Sequence, residues 1–413
     1  MIPFEQLYKE SVKAALSGQE RPEKEGGFNP HHLDCLLNPE KHAPVIRVSD
    51  CGCGAEDCKN ACEFDAVTKD GDGNAVILKE NCTGCGACID ACAKKNLTAG
   101  RDVLPVLELL RKKEAPVYAM IAPAFQSQFS LKTSPGNLRT AFKKLGFAGM
   151  IEVALFADIL TLKEALEFDK AINKDSDFLL TSCCCPIWIG MIRKVYSRLA
   201  GHIPPSVSPM VACGRSIKKL YPQAKMVFIG PCLAKKAEAR EKDIAGAVDH
   251  VLTFKEIQDV FEIAGIDPEG CGEDQRDHSS RSGRIYARTG GVSRAVQDTV
   301  SRLVPEREIP LRAVQADGVP ALKALLRDVE SGDIRANFIE GMGCVGGCVG
   351  GPRVLIPKEE GRAQVDAYGE EAAYGTPVDN PYVIELLARL GFESIESLTR
   401  GDHMFTRDFT VDE

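Results

Sequence analysis

Apolar positions are spread unevenly along the chain. PFEQLYKESVKAAL repeats them at three- and four-residue spacing and predicts an amphipathic helix near the N-terminus. A polar stretch containing Pro and His follows and ends near HAPVIRV. Residues 49–100 carry little apolar sequence, after which RDVLPVLELLRKK predicts a connecting helix. From about residue 115 the texture alternates. VYAMIAPAF, MIEVALF, DFLLTSC, KMVFIGPC and ANFIEGMGC read as strands, while NLRTAFKKLGF, closing at Gly146, and ADILTLKEALEFDKAI read as helices. This alternation predicts an α/β domain of parallel strands with flanking helices. Ligand sites in such sheets lie beyond the strand carboxyl ends. Three of the strands run into a cysteine, so the pattern predicts a thiol-rich site at one sheet edge. The expected organisation is an N-terminal segment (1–48), a small α+β domain (49–100) and a large domain (112–413).

A chain of 413 residues, 44% apolar, has enough material for two or three domains with a sizeable core. The net charge of −8, without a Lys/Arg block, argues against nucleic acid or an anionic membrane surface as partner. There is no run of 18 apolar residues and no secretory signal pattern, so a cytoplasmic location is expected.

The 17 cysteines change the picture most. They fall in tight C-x-x-C clusters, poorly placed for structural disulfides and well placed for metal. Cys213 and Cys271 stand alone and read as buried thiols, and so does Cys35 in HHLDCLLNP, with a spare ligand as its other reading. NCTGCGACIDAC places Cys82, Cys85, Cys88 and Cys92 at the bacterial ferredoxin spacing, in which the fourth cysteine serves the neighbouring 4Fe–4S cluster. CGCGAEDCKNAC supplies Cys51, Cys53, Cys58 and Cys62. The simplest assignment gives Cys51, Cys53, Cys58 and Cys92 to one cluster and Cys62, Cys82, Cys85 and Cys88 to the other. Clusters also explain how a domain so poor in apolar residues holds together.

The large domain offers TSCCCPIW, IGPCLAKKAE and FIEGMGCVGGCVGGP. Lys235 and Glu238, three and six residues after Cys232, share roughly one helix side and could flank the same metal. Together with APAF at 122–125 and a C-terminal stretch from Arg362 onward, the trio resembles the signature of iron-only (FeFe) hydrogenases over about residues 49–395. That resemblance implies an H-cluster: a 4Fe–4S cube joined to a diiron unit carrying carbon monoxide, cyanide and an azadithiolate bridge. It implies that Cys185, Cys232, Cys344 and Cys348 ligate the cube, with Ala122 and Pro123 beside the cofactor, Lys235 on a cyanide and Met342 near the bridging carbonyl. Cys184, aligned on CPxW, would be the proton relay, continuing to Glu164 and Glu167. Aligned on TSC instead, Cys183 takes that role; the CPxW register is preferred because Pro186 pre-sets the helix behind the ligand. The resemblance further implies reversible H2 oxidation and proton reduction, ferredoxin or a similar carrier as electron partner, and maturation proteins that install the diiron unit. With a net charge of −8, an acidic carrier would need a local basic patch, expected near residues 94–113.

Read without the resemblance, Glu164 and Glu167 are an ordinary solvated helix face. Several positions depart from the family pattern: Gly230 stands where a methionine is usual, Met210 for a glutamine, Ala124 for a serine, and Pro204 falls where the usual path has a serine. These departures mark a divergent subgroup. The alternatives to an enzyme are a hydrogen sensor, which would be expected to carry an appended signalling domain, and an iron–sulfur assembly protein.

Overall fold

The computed structural model describes residues 2–19, 27–400 and 403–410. In the large domain, β5 (Val117–Ile121), β6 (Gly149–Glu152), β8 (Lys225–Gly230) and β9 (His250–Thr253) form a parallel sheet of order β6-β5-β8-β9. A second parallel sheet has the order β10-β11-β7, from β7 (Leu179–Leu180), β10 (Ala313–Asp317) and β11 (Phe338–Met342). Helices flank both sheets, giving the expected α/β architecture. The cysteine-bearing strands are divided between them: β7 and β11 belong to one sheet and β8 to the other. The thiols therefore converge between two sheets, which corrects the expectation of a single edge.

Two elements differ from the sequence reading. MIEVALF is a strand only to Glu152, and the helix Ala154–Ala171 takes its second half. DFLLTSC is a strand only at Leu179–Leu180 because residue 182 leaves extended conformation. Ser182 stands at φ 69°, a left-handed conformation uncommon for a residue with a Cβ.

The small domain consists of two antiparallel pairs. β2 (Val67–Lys69) pairs with β3 (Ala75–Ile77), and β1 (Val45–Arg47) pairs with β4 (Leu97–Ala99). Since β1 lies in the N-terminal segment, that segment completes the small domain. The same segment also enters the large core: Phe4, Leu7, Tyr8 and Val12 of the helix Phe4–Ser17 share one apolar cluster with Leu104, Leu107 and the first parallel sheet. RDVLPVLELLRKK, helical over Val103–Lys112, is thus a core helix as well as a connector. No described helix is long and apolar enough to cross a membrane.

Candidate active site between the two sheets

TSCCCPIW leaves β7 in a tight turn. The Cys185 amide bonds the Ser182 carbonyl at 3.0 Å, and Pro186 opens the helix Pro186–Val195. The buried indole of Trp188 donates to the Thr181 carbonyl at 2.6 Å, pinning the turn from below. Only glycine fits at 341, where a Cβ would lie 2.2 Å from that indole. Because the turn curls, its three thiols diverge. Cys184 and Cys185 line a cavity between the sheets, whereas Cys183 points behind it.

Cys232, Cys344 and Cys348 line the same cavity, with Ala122, Pro123, Met210, Lys235, Tyr286 and Met342. Four cysteines from three loops, plus a fifth beside them, thus face one space. Burial pushes the Cys232 thiol up to about 11 and Cys348 up to about 12, with neighbouring thiols adding to it. Burial likewise holds Cys344 and Cys184 well above the ordinary thiol range. A cationic metal reverses this by deprotonating its ligands. The donor set fits an iron–sulfur cube, and the Gly343 amide, 3.2 Å from Cys185 Sγ, is the kind of N–H that orients such ligands.

Lys235 is buried. Burial opposes its charge, but the Glu238 carboxylate, 2.5 Å from Nζ, outweighs this and keeps the ammonium. Glu238 is itself buried and is not among the residues lining the cavity, so it backs Lys235 instead of flanking the metal position. That corrects the reading in which both flank it.

Behind the cavity, Cys183 Sγ lies 3.4 Å from Glu164 Oε1 and 3.3 Å from the Val207 carbonyl. Glu164 is buried and accepts from Thr181 at 2.7 Å. Burial, and after it the nearby Glu167, raises its pKa to about 7 against the pull of the Thr181 hydroxyl. Lys163 is buried as well, paired with Glu167 and donating to the Pro205 carbonyl at 3.0 Å and to Ser206 Oγ at 2.8 Å. Ser206 in turn lies 3.2 Å from Glu167 Oε2. The solvated-face reading of these carboxylates is therefore overturned. Pro204, where counting places the usual serine, has no hydroxyl; the hydroxyl in this group is that of Ser206. Lys163, Thr181 and Ser206 were missed as site residues. The available signal was that ALFADILTLKEALEF shows no clean polar stripe, as expected of a helix covered on nearly all sides.

In the small domain, Cys62, Cys82, Cys85 and Cys88 line one cavity. Burial, and next the charge of Cys53 with Cys92 and Cys51 also near, raises the Cys58 thiol. The amides of Ala66, Ala75 and Asn96 each donate to a cysteine sulfur at 3.3 Å, on Cys62, Cys51 and Cys92 respectively. Gly84, at φ +73°, lies against the backbone of Leu233 and Ala234, where a Cβ would sit 3.0 Å away. Cys62 and Cys85 pack against the same apolar cluster as Cys185, Cys232 and Cys344, so the group of Cys62, Cys82, Cys85 and Cys88 is the one beside the large cavity.

The profile of the family described as "Iron only hydrogenase large subunit, C-terminal domain" matches residues 115–352, more than half of the chain. The chain belongs to that family. NADP-reducing hydrogenase subunit HndD of Solidesulfovibrio fructosivorans is 28% identical over 369 residues, 74% of this chain and 62% of that protein. Iron hydrogenase 1 of Clostridium pasteurianum is 27% identical over 285 residues, 59% of this chain and 50% of that protein. Protein NAR1 of Arabidopsis thaliana is 24% identical over 374 residues, 72% of this chain and 77% of that protein. The solved FeFe-hydrogenase HydA1 from Chlamydomonas reinhardtii superposes with a TM-score of 0.61 at 19% identity, over 73% of this chain and 98% of that one, which speaks for the fold. This family member spans between half and just under two thirds of the length of the curated hydrogenases it matches. The family thus includes both hydrogenases and iron–sulfur cluster assembly factors.

Proposed function

We propose that this chain is a hydrogenase that interconverts protons, electrons and H2 at an H-cluster, exchanging electrons with a ferredoxin-like carrier through two further 4Fe–4S clusters. The observation that carries this reading is the fifth thiol. Cys184 and the Lys235 ammonium face the same cavity as four cysteines sufficient for a cube, so the site provides more than a cube needs.

Cys185, Cys232, Cys344 and Cys348 would hold the cube, Cys348 shared with the diiron unit. The cluster, once bound, supplies the redox chemistry. The chain's own residues bind, orient and move protons. Lys235, fixed by Glu238, offers ammonium donors to an anionic ligand. Met342, Met210, Pro123 and Ala122 exclude water. Cys184 gives or takes a proton at Sγ, and Glu164, with a pKa of about 7, is matched to proton exchange near neutrality. Ser206, Lys163 and Glu167 form a separate hydrogen-bonded group on the same helix side. Cys62, Cys82, Cys85 and Cys88 would hold the cluster nearer the site, and Cys51, Cys53, Cys58 and Cys92 the outer one. The carrier would dock near Lys95, Arg111 and Lys113; Lys94 is already engaged with the Cys51 carbonyl and Lys112 with Glu108.

The chain's likeness to Protein NAR1, across most of that protein, favours a second reading, cluster assembly without diiron chemistry. Expression with the hydrogenase maturation proteins separates the two. A hydrogenase gives infrared bands of bound carbonyl and cyanide and evolves H2 from reduced viologen. Full iron loading of the cube without those bands would leave the assembly reading standing.

A further inference from the structure

A group of metal-binding side chains lies outside both iron–sulfur regions. HHLDCLL forms most of the helix Pro30–Leu37, capped by Asn29 and opened by Pro30. His31 and Cys35 are four residues apart, hence on one helix face. His42 follows the turn Pro39–Lys41 and folds back onto that face. One donor atom from each lies within 4.8 Å of the other two.

We propose that His31, Cys35 and His42 bind a zinc ion that fastens the N-terminal segment to the large domain. In a tetrahedral zinc site, bonds of about 2.1 Å to nitrogen and about 2.3 Å to sulfur set donor–donor separations of roughly 3.4–3.6 Å. His31 Nε2 already lies 3.5 Å from Cys35 Sγ. The remaining separations close by little more than about 1 Å, within the reach of side-chain rotation. His42 is held from outside the triad, its Nε2 2.7 Å from Asp34 Oδ2, and Asp34 is steadied by Asn38 at 2.8 Å. A carboxylate behind an imidazole is the usual support of a metal-bound histidine.

The donor set selects the metal. One thiolate with two imidazoles suits a borderline-soft ion, not calcium or magnesium. A single thiol is too few for a cube, which takes four ligands and nearly always thiolates. Cys35 is buried while His31 is exposed, so the site has a closed wall and an open side for entry and for a fourth ligand from water.

The position of the site gives the ion its role. The His42 carbonyl accepts from Arg240 at 2.9 Å. Arg240 also reaches Asp102, which binds the buried Lys236 at 2.8 Å, the residue next to Lys235. A metal on His42 thereby stiffens the contact between the N-terminal segment and the helix carrying Lys235.

The test uses the full chain with its iron–sulfur clusters reconstituted, so that the other cysteines are occupied. After equilibration with zinc chloride and removal of free metal, about one zinc per chain is expected, with iron content unchanged. Cys35→Ser and His42→Ala each lower zinc affinity at least about ten-fold, by analogy with lost metal-site groups. Cobalt(II) gives a thiolate charge-transfer band in the difference spectrum, which Cys35→Ser abolishes. His31 is exposed, so His31→Ala supplies the same zinc measurement should the Cys35 variant fold poorly. Zinc binding unchanged in the His31 and His42 variants, or a cobalt–thiolate band that survives Cys35→Ser, would overturn the proposal.

Discussion

Cys183 and Cys184 are neighbours in the chain with opposite surroundings: Cys184 lines the intersheet cavity, and Cys183 turns away to place its sulfur 3.4 Å from Glu164. The two thiols therefore separate functionally under substitution. Cys184→Ser is expected to lower H2 evolution by about 10²-fold or more, the usual scale for losing an acid–base group, with iron content unchanged. Cys183→Ser retains the cluster and most of the turnover, because serine can still donate to Glu164. Viologen-linked H2 evolution and iron analysis on both variants check this. Loss of cluster iron in Cys184→Ser would favour the other register.

Glu164 makes stability and rate pH-dependent. Its folded pKa, raised to about 7 by burial, lies above that of an unfolded glutamate, about 4.3. Between those values the folded protein keeps a proton that the unfolded chain has lost, so stability falls as pH rises through that window. The loss is at most about 4 kcal/mol, at about 1.36 kcal/mol per pKa unit. Glu164→Gln flattens this slope and removes the inflection near neutrality from the pH–rate profile. Urea unfolding at several pH values, beside H2 assays over the same range, tests both.

Lys163 neutralises Glu167 in a site with little water, since Lys163 is 1% exposed and Glu167 13%. Lys163→Met leaves that carboxylate without its partner and costs about 3–5 kcal/mol, the scale for breaking a buried pair. The double variant Lys163→Met, Glu167→Gln recovers part of the loss. Thermal unfolding of the three chains measures the coupling.

At Gly230 the family's usual methionine has no room. A Cβ there would sit 2.8 Å from the Phe228 ring and 3.0 Å from Ala122. Gly230→Met is expected to cost about 1–3 kcal/mol through overpacking. Phe228→Ala in the same chain relieves the clash and restores stability in a melting experiment.

Local signals made much of this site legible. The C-x-x-C spacings anticipated which small-domain thiols group together, and Pro186 anticipated the helix start behind Cys185. Tertiary placement was less accessible. Nothing in the periodicity of DFLLTSC, KMVFIGPC and ANFIEGMGC divides them between two sheets, because each strand looks alike until its pairing partner is known. Glu164, Glu167 and Lys163 read as surface because charged residues on helices usually are. Their helix is instead enclosed, and beside the Lys163–Glu167 pair itself their hydrogen-bond partners lie 17 to 43 positions away, where the sequence shows no connection.

The pairing of Val45–Arg47 with Leu97–Ala99 bears on how such a chain can be rearranged. A cut at residue 48 would strip the small domain of one of its strands and leave an open sheet edge, a template for aggregation. The contact of Gly84 with Leu233 and Ala234 forms a second seam on the opposite partner. The small domain is therefore no interchangeable cassette. Grafting it onto another catalytic body requires transferring the upstream strand with it and reshaping the surface that follows Cys232.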